Sequence, residues 1–225
     1  MPDSYYKLRS NYNPNDARSN GYRSHEYFEK EQSILLGELD NPSGVLLDIA
    51  CGSGLMLLPL LKRDVDIIGV DFDMHACIAA KNNSIACIQG DVYLLPINSE
   101  TIDAAISCQF LNQQEKNNVF PLLEEVYRVL KKGKKITIIW RNGDALIHQL
   151  ATHLYKIIAL IFKSQTFPYF NHSMLEVESH AKNIGFNICN KEVIFPTISW
   201  RSKNTNGIAS KLIGASFMLT IEKPL

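Results

Sequence analysis

The chain has 225 residues, of which 46% are hydrophobic and 20% charged, enough apolar material for one α/β core and too much for extended disorder. Basic and acidic residues number 23 each, so no net field draws the chain to nucleic acid or an anionic membrane, and small-molecule chemistry is the default expectation. The first residues lack an apolar signal core and no apolar run reaches the ~20 residues that span a bilayer, which points to the cytoplasm; five cysteines without a Cys-x-x-Cys pair read as reduced thiols.

Residues 1–24 carry Tyr5, Tyr6, Tyr12 and Tyr22 with Arg9, Arg18 and Arg23 among Asn, Pro, Ser and Gly. They show no apolar period and read as a lid or loose arm, in which Tyr22 and Arg23 are candidates to clamp a cofactor carboxylate or an acceptor. A helical pattern over His25 to Leu39 is broken by Asn41-Pro-Ser-Gly44, after which strands are expected near 45–49, 66–70, 85–88, 102–108 and 135–140. This β/α alternation predicts a parallel sheet.

The first strand runs into Asp48-Ile-Ala50-Cys51-Gly52-Ser53-Gly54 and a helix expected from about Leu55. Such a turn lets the backbone close on a nucleotide-like ligand and aims unpaired N–H groups at it. A dinucleotide fits poorly, because the third glycine of that fingerprint is replaced by Leu57. Asp48 near the strand end would repel a pyrophosphate but suits a ligand bearing an ammonium and a sulfonium, as S-adenosylmethionine does. The second strand ends at Asp71-Phe72, seventeen residues after Gly54, where a ribose hydroxyl pair needs an acceptor. A third ends in Gly90-Asp91-Val92, which can read an adenine amino group.

These residues, Leu47-Asp48-x-Ala50-Cys51-Gly52-x-Gly54, Gly69-Val-Asp71, Gly90-Asp91-x-x-x-Leu95-Pro96 and Glu125-x-x-Arg128-Val-Leu-Lys131-x-Gly133-Lys134, stand in the order of the class I S-adenosylmethionine-dependent methyltransferases. Over about Val45 to Trp140 the chain resembles that family, and most of all the group with the ubiquinone and menaquinone biosynthesis enzymes. The resemblance implies a Rossmann-like, doubly wound, mostly parallel seven-stranded sheet with an antiparallel last strand. It also implies a cofactor site made by Asp48, Ala50, Cys51, Gly52 and Gly54 at the methionine end, Asp71 with Phe72 at the ribose, and Asp91 with Val92 at the adenine. Ala50 replaces a commoner glycine, which is acceptable if its φ is negative. Gln109 is expected to line the cofactor, and Asn112 stands where related enzymes place a polar residue toward the acceptor.

Further along, a helix from Asn117 to Leu130 is expected to end at Lys131-Lys-Gly133, with glycine as its C-terminal cap and the lysines at the negative helix end. Residues 146, 147, 150, 154, 157, 158 and 161 form an apolar stripe on one helix face. The first expectation is packing on the sheet or over an acceptor pocket; peripheral membrane contact is the other. His172 follows an aromatic stretch that could wall an apolar acceptor, while Ser173 with Glu176 reads as a capping box that makes His172 a helix-entry residue. Strands are expected over 186–195 and 216–222, flanking a polar loop. No metal site is expected, since His148 and His153 are five residues apart, off one helix face.

Residues 1–40 thus read as arm and first helix, 41–142 as an S-adenosylmethionine-binding core, and 143–225 as acceptor-covering helices and final strands of the same domain. The function implied is methyl transfer to an apolar or aromatic small molecule of quinone-precursor or secondary-metabolite type, by a monomer or homodimer without nucleic acid. The rivals are a catalytically silent binding or regulatory subunit with the same fold, and a dinucleotide-dependent oxidoreductase, which Leu57 and Asp48 disfavour.

Overall fold

The computed structural model describes residues 16–17, 22, 24–150, 153–154, 170–195 and 200–225. Arg23, most of residues 1–21, and the stripe positions 157, 158 and 161 lie outside these.

In chain order the elements are α1 (His25–Leu39), β1 (Gly44–Ile49), a 3-10 segment (Leu55–Leu60), β2 (Val65–Asp71), α2 (Met74–Asn82), β3 (Ala86–Gln89), β4 (Ile102–Cys108) and α3 (Val119–Val129). They continue with β5 (Leu130–Arg141), α4 (Met174–Ile184), β6 (Asn187–Phe195), β7 (Trp200–Ser202), α5 (Ile208–Ile213) and β8 (Ser216–Glu222). Residues 146–150 are also helical. The sheet order is β3-β2-β1-β4-β5-β8-β6-β7. The first five strands are mutually parallel; β8 is antiparallel to both β5 and β6, and β7 to β6. The order reverses at β1, which lies between β2 and β4, so the topological switch point, where such sheets bind ligands, falls at the carboxyl ends of β1 and β4.

Leu46 and Leu47 are both fully buried on opposite faces of β1, as expected of a strand covered on both sides. Leu47, Ile49 and Val70 pack with residues of α3 and α4, such as Leu122, Val126 and Val177. Leu46 and Ile67 pack on the opposite face with Phe28 and Leu35 of α1 and Cys77 and Ala80 of α2. Side chains fix the helix starts: Ser24 Oγ accepts from Tyr27 N at 3.2 Å, Asp73 Oδ1 from His75 N at 2.7 Å, and Ser173 Oγ from Glu176 N at 3.1 Å.

Four expectations change. The sheet has eight strands, not seven, because Trp200–Ser202 adds an edge strand on β6 too short to show alternation. The segment after Gly54 is a six-residue 3-10 stretch, with Pro59 inside it. Proline removes a donor and crowds the carbonyl four residues back, and the carbonyls of Leu55 and Met56 are taken instead by Gln32 Nε2 at 2.8 and 3.1 Å. Nor does α3 end on a glycine cap. Leu130 turns extended and pairs with Ile102, because an apolar residue there gains more from the sheet core than from another helical turn. Gly133, at φ 70°, therefore lies within β5, and Lys131 Nζ binds the Asp103 carboxylate at 2.8 and 2.9 Å. Finally, Leu146, Ile147, Leu150 and Leu154 are about half exposed or more, so this part of the stripe does not pack on the sheet.

Candidate functional site

The turn after β1 is held by its own backbone and by β2. Cys51 N donates to Val70 O at 3.2 Å and Gly54 N to Cys51 O at 2.9 Å. Asp71 accepts from Gly52 N at 2.8 Å through one carboxylate oxygen and from Asp73 N at 2.9 Å through the other. Asp71 thus ties the glycine turn to β2 and keeps lone pairs for a further donor. Gly54 sits at φ 76°, and a Cβ there would lie 2.8 Å from Ile85 Cγ1. Gly69 is required for a different reason: a Cβ on it would meet Cys51 Sγ at 2.5 Å. The proviso on Ala50 fails, since its φ is 57°. The chain must reverse there to send Cys51 back over β2, and alanine is held in a left-handed conformation that costs about 1–2 kcal/mol.

Asp48 is 3% exposed and its Oδ2 has no hydrogen-bond partner among the described residues. Burial, followed by the neighbouring Asp71 carboxylate, pushes its pKa well above the ordinary value. Burial likewise raises Asp71, against the opposing pull of the Asp73 and Gly52 backbone donors. No salt bridge among the described residues reaches either acid. Two buried acids at the mouth of a glycine turn, one with an orphaned oxygen, fit a ligand that brings positive charge and N–H donors, as the ammonium and sulfonium of S-adenosylmethionine do.

Just after β2, Phe72 is 61% exposed, a flat apolar surface beside Gln89, whose Nε2 donates to Phe72 O at 3.1 Å. Asp91 is exposed and caps its own turn, its Oδ1 accepting from Tyr93 N at 2.9 Å; Val92 is buried beneath. Arg128 donates to Leu95 O and Ile97 O at 3.0 and 2.8 Å, and Glu125 accepts from Leu95 N at 3.0 Å. The Glu-x-x-Arg pair on α3 thus clamps the backbone that follows Asp91.

On the side of β4, β5 and β8, the other sequence candidates fall into two groups. Tyr22 and Ala17 are buried in the core cluster on the α1 side of the sheet, with the Tyr22 ring against Tyr27 and Phe28. Gln109, at φ 57° directly after β4, extends Nε2 to both oxygens of Glu31 at 3.0 Å and to Ser216 Oγ at 3.3 Å. Asn112 and His172 form a separate group. The Asn112 amide accepts from Arg141 N at 2.8 Å and donates to the carbonyls of Arg141 and Phe170 at 3.4 Å. His172 is fully buried, with Nε2 2.9 Å from Gln114 O and its carbonyl accepting from Trp140 Nε1 at 3.1 Å. Asn112 is occupied with backbone and His172 is held through Nε2, its buried Nδ1 having no partner among the described residues; together they staple the turn before α4 to β5. The sequence reading passed over Glu31. Its signal was there: with Phe28 and Leu35 it forms the buried face of α1, a charged residue within an apolar stripe.

The parallel β1–β4 switch point, with a glycine turn, two buried acids and an exposed aromatic beside it, is the arrangement of a Rossmann-like fold. Residues 47–138 match the methyltransferase domain family. Over 119 residues the chain is 32% identical to the 2-phytyl-1,4-naphtoquinone methyltransferase of Synechocystis, covering 47% of this chain and 49% of that protein. Over 98 residues it is 30% identical to the demethylmenaquinone methyltransferase of Corynebacterium kroppenstedtii, covering 43% and 42%. The matches therefore span about half the length of these curated relatives, or less. A SAM-dependent methyltransferase structure from Archaeoglobus fulgidus superposes with a TM-score of 0.72 at 15% identity, covering 98% of this chain and 100% of that one. Residues 47–138 thus carry the methyltransferase-domain match, on a chain whose fold is that of the SAM-dependent methyltransferase structure.

Proposed function

We propose that the protein is an active methyltransferase that moves the methyl group of S-adenosylmethionine to an apolar or aromatic small molecule of quinone-precursor type. The observation that carries the cofactor half is the orphaned Asp48 oxygen beside Asp71 at the glycine turn. Asp48 and the turn would hold the amino-acid end, Asp71 the ribose hydroxyls, and Phe72, Asp91 and Val92 the adenine. The bound sulfonium supplies an activated methyl group whose transfer disperses charge, so the protein's part is alignment and exclusion of water. The burial of Tyr22 and Ala17 in the core cluster that also holds Cys51 supports a lid role for residues 1–40, with 41–142 as cofactor core and 143–225 as acceptor cover. The acceptor class is supported by the names of the two quinone-modifying relatives. The exposed Leu146, Ile147, Leu150 and Leu154 are consistent with a cytoplasmic enzyme that meets an apolar acceptor at a bilayer surface.

Thermal unfolding with S-adenosylhomocysteine, S-adenosylmethionine or NAD tests this. A ligand of the folded state at 100 times its Kd adds about 2.7 kcal/mol, and the expected result is a rise with the two adenosyl ligands alone. A folded protein that responds to neither refutes the reading and favours the silent-subunit alternative.

A further inference from the structure

The buried polar cluster around Glu31 has no part in cofactor binding as derived above. Glu31 is fully buried. Both of its oxygens face the Gln109 amide, and its other polar neighbours are the hydroxyls of Ser216 and Tyr22. All of these are neutral, and no salt bridge among the described residues reaches Glu31. Tyr22, from the arm, is buried with a hydroxyl beside Glu31 that completes no hydrogen bond among the described residues. A buried carboxylate without a counter-charge and a buried hydroxyl without a partner are both costly, and both lie on one spot. Cys108, at the end of β4, feels the charges of both Asp48 and Glu31, so the cluster lies on the side of β4 toward the proposed cofactor site. Gln109, which orients it, is held in a left-handed backbone conformation, the kind of strain that folds keep where geometry matters.

We propose that Glu31 is the acceptor-binding and proton-accepting residue of this site, and that the acceptor presents an aromatic hydroxyl to it, with Tyr22 as second hydrogen-bond partner. The inference rests on the methyltransferase reading and adds to it the chemical class of the acceptor. A carboxylate-bearing acceptor would be repelled by Glu31, and an ammonium held there would lack the lone pair that attacks. A phenol or hydroquinone donates its O–H to the carboxylate and stacks among Tyr22, Tyr27 and Phe28, whose rings lie 6.2 and 5.0 Å from Tyr22. As its oxygen forms the bond to the methyl carbon, the hydroxyl proton passes to Glu31 and the electrons of the broken C–S bond stay on sulfur. The proton leaves Glu31 to water once product departs. The titratable groups facing Glu31 among the described residues are Tyr22 from the arm and Cys108 from β4, with Tyr27 of its own helix one step away through Ser216. Burial pushes the pKa of Glu31 up, toward that of a phenol.

The full chain, saturated with S-adenosylhomocysteine, is titrated with 4-nitrophenol, whose absorbance reports its ionisation. Wild type is expected to bind the phenol and hold it neutral to higher pH than in solution, since an adjacent carboxylate disfavours phenolate. Glu31→Gln keeps a carbonyl for Gln109 and is expected to retain the response to S-adenosylhomocysteine while phenol affinity drops about tenfold or more and the displaced ionisation vanishes. Tyr22→Phe, which removes only a hydroxyl, is expected to lower phenol affinity severalfold with the cofactor response intact. Wild type that binds S-adenosylhomocysteine but no phenol, or a Glu31→Gln variant with unchanged phenol affinity and ionisation, overturns the inference alone. Wild type that binds no adenosyl ligand overturns the proposed function, and the inference with it.

Discussion

Two residues at the glycine turn trade stability for site geometry. Ala50 holds a left-handed φ that glycine adopts freely. Ala50→Gly removes that strain but adds chain entropy to the unfolded state, so the net gain is about 0.5–1 kcal/mol, read as a rise in Tm. A valine at the same position is expected to lower it. Asp48 presents the larger conflict, a buried carboxylate whose Oδ2 finds no donor within the described residues. Asp48→Asn is expected to stabilise the ligand-free protein by about 1–3 kcal/mol, about 2–12 °C in Tm for a chain of this size, and to weaken S-adenosylmethionine binding at least tenfold by calorimetry. A variant that is less stable and binds as before would remove Asp48 from the site. Neither conflict is visible in the letters, because a φ angle and an unpaired lone pair are products of the fold.

Among the elements, α3 does more than cover the sheet. Its Arg128 and Glu125 bind the backbone of Leu95 and Ile97, so the loop bearing Asp91 and Val92 is fixed from the helix. Arg128→Met keeps the apolar stem but loses the charged donors, and is expected to cost about 2 kcal/mol. Hydrogen exchange over residues 91–97 should rise, and S-adenosylhomocysteine affinity fall, although Arg128 itself touches no expected ligand position. The strands that carry the cofactor motifs were legible because each is a contiguous apolar run ending in acid or glycine. The buried Glu31 cluster proposed to meet the acceptor was not, because its members meet only in space: Gln109 is 78 residues from Glu31 and 107 from Ser216. A lysine run followed by glycine reads locally as a helix end, yet Leu130 enters the sheet first and Lys131 meets Asp103 instead.

For the whole molecule, the acids divide by sign. Burial raises Glu31, Asp48 and Asp71 in the folded state, so the folded protein binds more protons than the unfolded chain between their unfolded value near 4 and their folded one. Their contribution is present in full below about pH 4 and is lost as pH rises through the raised values. Glu125, lowered by its hydrogen bond to Arg128, acts oppositely and loses its contribution as pH falls. The ligand-free protein is therefore expected to lose Tm relative to Asp48→Asn as pH rises above about 4, and S-adenosylmethionine, whose positive charge the proposed site sets against the same acids, to restore it. Equal pH slopes for wild type and variant would count against a buried, uncompensated Asp48.

The place of β8 in the sheet has a further consequence for how the molecule comes into being. β6 and β7 precede β8 in the chain, yet they reach β5 only through it, since β8 lies between β5 and β6 and hydrogen-bonds to both. A nascent chain can pair β1 to β5 as they emerge, but β6 and β7 have no edge to join until Ser216–Glu222 has been made. Assembly order in time thus departs from order along the chain, and the interval leaves the long β5 edge, with Ile136, Ile138 and Trp140, open to strangers.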